Sequence, residues 1–236
     1  MNSLEQTGHA FVYHITPLHY LPFILRSGRL LSKYALMESG FINTHFRKTS
    51  QQLDIDRGFG DYVHLSLQED PPILESKLSK GFPHVQLRIK STALPKHFDL
   101  CRYNIARTRK VKDGKSAAIE GPKNGYYYED LRVPVARKFS NQIAMIEGSK
   151  NNMIEVLIPK KLDIDSSTII ECFTVKDVAI TNRIIEQLNL PFNIIEKKLK
   201  FTYPENHEFR QNVSRQVISF FNDSDWKGDG LDFDKL

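Results

Sequence analysis

The clearest pattern at the start of the chain is an alternating apolar stretch followed directly by a helical one. Residues 10–16 alternate and are rich in β-branched and aromatic side chains, which predicts a strand. Apolar residues then recur at helical spacing over 17–27, where Pro17 suits a first turn and Gly28 a stop. His14 therefore lies where a strand passes into a helix, and loops at such junctions commonly carry binding sites.

A second stretch, residues 153–158, is apolar except for Glu155. Strand alternation places Glu155 and Leu157 on one face and the other apolar residues on the opposite face. A carboxylate inside an apolar strand costs free energy unless it is paired or faces a cleft. The alternative is a glutamate on the solvent face of an edge strand.

The remaining pattern predicts one α+β domain in which strands outnumber helices. Further strands are expected at 61–67, 84–89 and 169–175, with an extended run at 192–201. Helices are expected at 71–79, 180–188 and 203–222, and residues 34–57 are expected to form a helix plus a long loop. Residues 102–150 show no sustained period, which is typical of a functional or disordered segment. The domain is predicted to span 1–222, with an acidic, mobile tail at 223–236.

Charge adds a candidate binding surface. The 236 residues carry a net charge of +5, concentrated in the middle of the chain, and the end of the chain is acidic. Such asymmetry favours a polyanion partner, although a solvated basic loop is an equal alternative. The candidate nucleic-acid-binding residues are Arg102, Arg107, Arg109, Lys110, Lys112, Lys115, Tyr126, Tyr127 and Tyr128.

Several other chemistries have no support in the sequence. The chain has no glycine-rich phosphate loop and no GxSxG, HExxH or CxxC motif, so no metal is expected. Its two cysteines lie far apart and predict reduced thiols. No stretch approaches the ~20 apolar residues of a membrane span, and residues 1–8 lack the order of a secretion signal. A cytoplasmic location is expected.

Three blocks of the sequence resemble the DarT family of DNA ADP-ribosyltransferases. The first block, Tyr13-His-Ile-Thr16, continues without a gap to Leu31. The second is Asp61-Tyr-Val63, and the third is Ile154-Glu-Val-Leu-Ile158. The blocks occur in the family's order. The resemblance implies an ADP-ribosyltransferase-like split β-sandwich, made of two small mixed sheets with flanking helices, that binds NAD as a substrate between the sheets.

The resemblance also implies roles for individual residues. Glu155 corresponds to the catalytic glutamate, and the family's essential arginine corresponds to Arg47 or Arg57. Spacing back from Asp61 favours Arg47, whereas the local sequence Asp54-Ile-Asp-Arg57 keeps Arg57 open. The implied NAD-contacting residues are Tyr13, His14, Ile15, Thr16, Phe23, Leu31 and Tyr62.

The expected function is NAD-dependent mono-ADP-ribosylation of bases in single-stranded DNA or RNA. The resemblance implies a toxin of a toxin–antitoxin or anti-phage system. Residues 203–236 match none of the three blocks and are a candidate docking segment for an antitoxin or chaperone. This chain departs from the family at His64-Leu-Ser-Leu67, where an aromatic run and a Pro-Arg-Ser segment are expected, so the acceptor stays open. The alternatives are a non-catalytic nucleic-acid-binding module and a protein-modifying ADP-ribosyltransferase.

Overall fold

The computed structural model describes nine parts of the chain. These are residues 3–38, 55, 58–96, 98–101, 108–110, 116–118, 132–134, 154–199 and 207–222.

The described residues form twelve strands, most of which join one sheet. The strands are β1 (Phe11–Pro17), β2 (Arg29–Leu31), β3 (Tyr62–Ser66), β4 (His84–Lys90), β5 (Asp99–Cys101), β6 (Thr108–Lys110), β7 (Ser116–Ala118), β8 (Arg132–Pro134), β9 (Glu155–Pro159), β10 (Lys161–Asp163), β11 (Ile169–Cys172) and β12 (Asn193–Glu196). Eight of them hydrogen-bond in the order β12-β11-β4-β1-β3-β9-β5-β8, while β10 pairs with β2 and β6 pairs with β7. Strands β11 and β12 run parallel and the other neighbours antiparallel, which makes the large sheet mixed.

Strands β1 and β3 pair over a much shorter length than the other neighbouring strands in the middle of the sheet. Strand β1 pairs with β4 over its whole length, from Phe11 opposite Lys90 to Pro17 opposite His84. With β3 it pairs only where Tyr13 stands opposite Ser66. The α+β class predicted from the sequence is confirmed, and the finer prediction of a split sandwich stays a prediction.

Strand β9 divides its side chains as the alternation predicts. Val156 and Ile158 are fully buried in the main apolar core. Leu157 lies between them in the sequence but packs with Phe59 and Tyr62 in a separate cluster. The two faces of β9 therefore pack against different parts of the molecule, and Glu155 belongs to the face that carries Leu157.

Six helices lie among the described residues. They are α1 (Ser3–Gln6), α2 (Leu21–Ser27), α3 (Lys33–Glu38), α4 (Pro72–Leu78), α5 (Val175–Leu188) and α6 (His207–Asn222). The expectation that Pro17 opens a helix is wrong, because Pro17 ends β1 with extended torsions and a 3₁₀ turn precedes α2. The fixed φ of proline suits either state, so the sequence did not separate them. Gly28 ends α2 in the left-handed conformation, as predicted.

Helix α5 begins one and a half turns earlier than its predicted start at 180. The hydroxyl of Thr174 accepts a hydrogen bond from the backbone N–H of Asp177 at 3.1 Å and caps the helix. Phe173 and the β-branched Thr174 and Val175 continue the pattern of β11, which is why the predicted strand ran past its true end at Cys172.

The segment 102–150 contains more regular structure than its pattern predicts. Strands β6 and β7 pair as a hairpin, and β8 pairs with β5 at the edge of the large sheet. Strands of three residues are too short to show an alternation against neighbouring polar residues. The rest of that segment and the predicted tail at 223–236 lie outside the described residues.

Helix α6 packs onto the body of the protein through an apolar face. This face carries the buried side chains of Val213, Val217 and Phe220. The guanidinium of Arg26 from α2 stacks 4.0 Å from the ring centre of Phe220. The docking segment predicted for 203–236 therefore does not include this face of α6, which the chain itself covers.

In the ranges that the structure describes, no helix combines the length and the apolar character needed to cross a bilayer.

Candidate active site

His14 lies where β1 and β3 separate. Its Nδ1 is 3.0 Å from the backbone carbonyl oxygen of His64, so the imidazole bonds to β3 two residues away from Ser66, where the two strands pair. A carbonyl oxygen can only accept, so Nδ1 carries the hydrogen and Nε2 keeps its lone pair. His14 therefore presents a hydrogen-bond acceptor at Nε2.

Removal from water keeps this imidazole neutral. Burial lowers the pKa of His14 from 6.5 to about 4, and the hydrogen bond to the His64 carbonyl opposes this effect only in part. At neutral pH His14 is uncharged. It can accept a hydrogen bond from a hydroxyl without bringing a positive charge close to a cationic ligand.

Glu155 is the first residue of β9, which lies inside the sheet between β3 and β5. It stands opposite Ser66 on β3, and Ser66 in turn stands opposite Tyr13 on β1. Its side chain is 12% exposed. The edge-strand alternative is therefore wrong, and Glu155 is a largely buried carboxylate in the centre of the sheet.

His64 connects these two candidates. Its Nδ1 lies 3.5 Å from Oε2 of Glu155, and its own backbone carbonyl accepts the hydrogen bond from His14. Its other ring nitrogen, Nε2, is 3.2 Å from the carbonyl oxygen of Phe59. The structure thus brings His14 and Glu155, 141 residues apart in the sequence, to opposite sides of one residue on β3.

No role was predicted for His64, which stood out only as a departure from the family's pattern. Its position in the alternation of β3 was visible, since it shares a face with Tyr62 and Ser66. What was missing was the order of the strands. Glu155 and His64 become diagonal neighbours only because β3 pairs with β9, with His64 opposite Leu157 and Ser66 opposite Glu155.

The other NAD-contacting residues implied by the resemblance occupy several environments. Thr16 is 3% exposed, Phe23 packs against the main core, and Ile15 packs against the cluster formed by Leu74, Leu78 and Phe173. Leu31 pairs with Lys161 between two short strands. Tyr62 packs on Phe59 and Leu157, and the Phe59 carbonyl oxygen faces the His64 ring. Their NAD contacts stay predictions.

Tyr13 borders a second polar cluster on the same sheet. Arg88 stands opposite it on β4, and burial raises the pKa of the Tyr13 phenol, with the Glu69 carboxylate adding to the effect. In this cluster Lys197 Nζ donates to Glu69 at 2.6 Å, to Asp70 at 2.7 Å and to the buried Glu171 at 3.4 Å. Tyr13 therefore lies between this charged network and the cross-strand neighbours Ser66 and Glu155.

The remaining candidates fall mostly outside the described residues. Arg47 and Arg57 do so, as do Arg102, Arg107, Lys112, Lys115 and the three tyrosines Tyr126, Tyr127 and Tyr128. Arg109 and Lys110 lie on β6, of which the structure describes the backbone. Across the described parts of the chain, no three His, Cys, Asp or Glu side chains form a group that could hold a metal ion.

Solved structures of DarT and DarTG proteins are similar in fold to this chain. Thermosipho africanus DarTG in complex with ADP-ribose aligns with a TM-score of 0.55 at 15% identity, over 84% of this chain and 52% of that one. Thermus sp. 2.9 DarT in complex with ADP-ribosylated single-stranded DNA aligns with a TM-score of 0.50 at 15% identity, over 81% and 95% of the two chains. The same Thermus protein in complex with NAD⁺ gives 0.47 at 15% identity, over 80% and 96%.

The fold of this chain is DarT-like. No protein-family model and no curated protein matches the sequence. At 15% identity the likeness concerns the fold, and it confirms the resemblance inferred from the three sequence blocks at that level.

Proposed function

We propose that this chain is an NAD-dependent mono-ADP-ribosyltransferase that modifies bases of single-stranded nucleic acid. The observation that carries the proposal is that His14 contacts the backbone of His64 and Glu155 contacts its side chain, in a DarT-like fold. The opening between β1 and β3 beyond Tyr13 and Ser66 is the proposed division between two sheets, and NAD binds at this opening.

The two side chains suit the two requirements of the reaction. His14 accepts a hydrogen bond from a ribose hydroxyl through Nε2, and its neutrality avoids repulsion of the positively charged nicotinamide ring. Glu155 lies largely buried, where a carboxylate stabilises the positive charge that develops on the ribose as the glycosidic bond breaks. Arg47 or Arg57 would hold the pyrophosphate, because a guanidinium can bind phosphate oxygens bidentately.

The transfer step conserves charge and atoms. The bond between the nicotinamide nitrogen and the anomeric carbon breaks, and its electron pair leaves with neutral nicotinamide. A nitrogen of the acceptor base forms the new bond to that carbon and releases its proton to the Glu155 carboxylate.

Single-stranded DNA is the first acceptor to test. The Thermus protein that shares the fold was solved with ADP-ribosylated single-stranded DNA. In this chain the basic residues from Arg102 to Lys115 would hold phosphates, and Tyr126–Tyr128 would stack on unpaired bases. A role as the toxin of a toxin–antitoxin or anti-phage system, with an antitoxin partner, follows from the same resemblance.

The test is transfer of labelled ADP-ribose from NAD⁺ to DNA and RNA oligonucleotides of matched sequence. Glu155→Gln should lower transfer by about 10²- to 10⁴-fold, because the amide can neither accept the proton nor stabilise the developing charge as well. Glu186→Gln, an exposed glutamate on α5, is the matched control and should leave transfer unchanged.

Three other outcomes of the transfer experiment would contradict the proposal or favour an alternative. Full transfer by Glu155→Gln would remove Glu155 from the mechanism. Salt-dependent binding of the oligonucleotides without any use of NAD⁺ would favour the non-catalytic binding module. Label on protein rather than on nucleic acid would favour the protein-modifying transferase.

A further inference from the structure

We infer that His64 is a positioning residue for Glu155, holding the carboxylate through a proton that the two side chains share. The inference rests on the proposed function for its catalytic consequence. Its structural part depends only on the contacts of the His64 ring.

The two ring nitrogens of His64 face different acceptors. Nε2 of His64 faces the carbonyl oxygen of Phe59 at 3.2 Å, and Nδ1 faces the carboxylate of Glu155 at 3.5 Å. A neutral imidazole has one N–H and can serve only one of these acceptors, whereas an imidazolium serves both. An additional proton is therefore held between Nδ1 and the carboxylate.

The side chains of His64 and Glu155 are both largely buried. The side chains of His64 and Glu155 are 18% and 12% exposed, so water gives little competition for their contact. The contact with an imidazolium offsets part of the desolvation cost that a largely buried carboxylate bears. The contact is long for a hydrogen bond, as is common for catalytic groups before the substrate is bound.

His64 is held in place from both sides. Strand β3 is paired with β9 on one side, and the carbonyl of His64 accepts the hydrogen bond from His14 on the other. The same residue thus fixes the ribose-binding candidate through its backbone and the catalytic candidate through its side chain. A shift of His64 would move both groups together.

The titratable groups around His64 come from three other strands. Glu155 is on β9 and His14 on β1, where it is neutral at physiological pH. Asp99 on β5 stands opposite Leu157, which stands opposite His64, so it lies on the same face two strands away. Tyr62 lies on the same face of β3 itself. Glu155 is the group among these that the ring contacts through Nδ1.

The first experiment observes the proton directly and needs no enzymatic activity. The protein is labelled with ¹⁵N-histidine, and the ring nitrogens of His64 are followed by NMR as the pH is raised. Glu155→Gln should shift the titration midpoint of His64 downward by about one pH unit or more, because the stabilising anion is lost. An unchanged midpoint would overturn the inference whether or not the protein transfers ADP-ribose.

The second experiment measures the consequence for catalysis. His64→Ala should lower kcat for transfer by about 10- to 100-fold, with a smaller effect on KM for NAD⁺, because one charge-assisted hydrogen bond to the carboxylate is removed. His64→Gln should restore much of kcat, since its amide N–H can donate to Glu155. A shared proton further predicts that kcat falls at alkaline pH, where the His64–Glu155 pair loses it, and His64→Gln should flatten this fall because its amide does not titrate.

A structural role alone would give a different result. His9→Gln, which removes an imidazole whose Nδ1 contacts the Thr7 hydroxyl, is the control and should keep the alkaline fall of the parent protein. Wild-type kcat in His64→Ala, or an unchanged alkaline fall in His64→Gln, would overturn the inference. If the NMR shift is present but no variant transfers ADP-ribose, the proposed function fails and the proton-sharing pair stands.

Discussion

At the scale of single residues, the hydrogen-bond partner decides what each histidine can do. His14 and His64 both have ring nitrogens facing backbone carbonyls, but only His64 also faces a carboxylate. The first is therefore a neutral acceptor at Nε2, whereas we infer that the second donates from both nitrogens. Residue type alone would have assigned the same chemistry to both.

Another residue-scale feature is the buried ion pair that joins α6 to α5. Arg210 donates to Asp177 at 2.8 Å, and their side chains are 7% and 0% exposed. Arg210 also donates to the Thr174 hydroxyl that caps α5. The pair fixes the start of one helix to the start of the other.

Replacing Asp177 should therefore destabilise the fold strongly. Asp177→Ala removes the carboxylate that faces the buried Arg210 guanidinium. We expect a loss of about 3–5 kcal/mol in the free energy of unfolding. Asp163→Ala is the control, because its pair with Arg29 is exposed and should contribute less than about 1 kcal/mol. Urea unfolding followed by circular dichroism measures both, and equal losses would contradict the assignment.

At the scale of elements, α6 shows how the end of the described chain is tied to its beginning. Its buried face meets the 3₁₀ turn and α2, which directly follow the strand that carries His14. The helix thus supports the segment on which the proposed NAD site is built. The apolar pattern of residues 203–222 predicted the helix, but it did not predict which elements the helix packs against.

The packing of α6 predicts unequal effects of two apolar truncations. Phe220→Ala should lower the free energy of unfolding by about 3–5 kcal/mol, because Phe220 is 3% exposed and also stacks with Arg26. Ile218→Ala, on the same helix but 59% exposed, should change it by about 0.5 kcal/mol or less. Thermal and urea unfolding test this, and similar costs for the two variants would refute the packing of α6.

At the scale of the whole molecule, buried imidazoles link stability to pH. Burial lowers the pKa of His14 to about 4 and that of His19 to about 3, whereas both titrate near 6.5 in the unfolded chain. Between these values the unfolded state binds more protons than the folded state. The stabilisation is therefore complete above pH 6.5 and is lost as the pH falls toward 4 and 3.

The expected loss is about 1.4 kcal/mol per pH unit for each imidazole within that window. Urea unfolding at pH 7.5, 6.5, 5.5 and 4.5 would measure it. His19→Gln should reduce the dependence by about half, since one of the two groups no longer titrates. A stability that stays constant from pH 6.5 to 4.5 would contradict the buried, neutral state of these two side chains.

The likeness to the DarT and DarTG structures also belongs to this scale. At 15% identity few side chains are shared, yet the chain follows the same fold over more than four-fifths of its length. The order of strands in a sheet depends on which faces are apolar and where, and many sequences satisfy the same pattern.

The sequence by itself determined the elements whose pattern is local. The β1–α2 unit with its stop at Gly28, the opposite faces of Glu155 and Val156, and the α+β class follow from periodicity. The three blocks that resemble the DarT family are also local, and they led to the fold that the comparisons confirm.

Only the tertiary structure decided what lies next to Glu155. Pairing of β3 with β9 placed β9 inside the sheet and brought His64 to the carboxylate. The short pairing of β1 with β3 brought the His14 ring to the His64 carbonyl. These contacts join residues far apart in the sequence. Such contacts depend on how whole strands order themselves around a common core, which no local alternation of apolar and polar residues records.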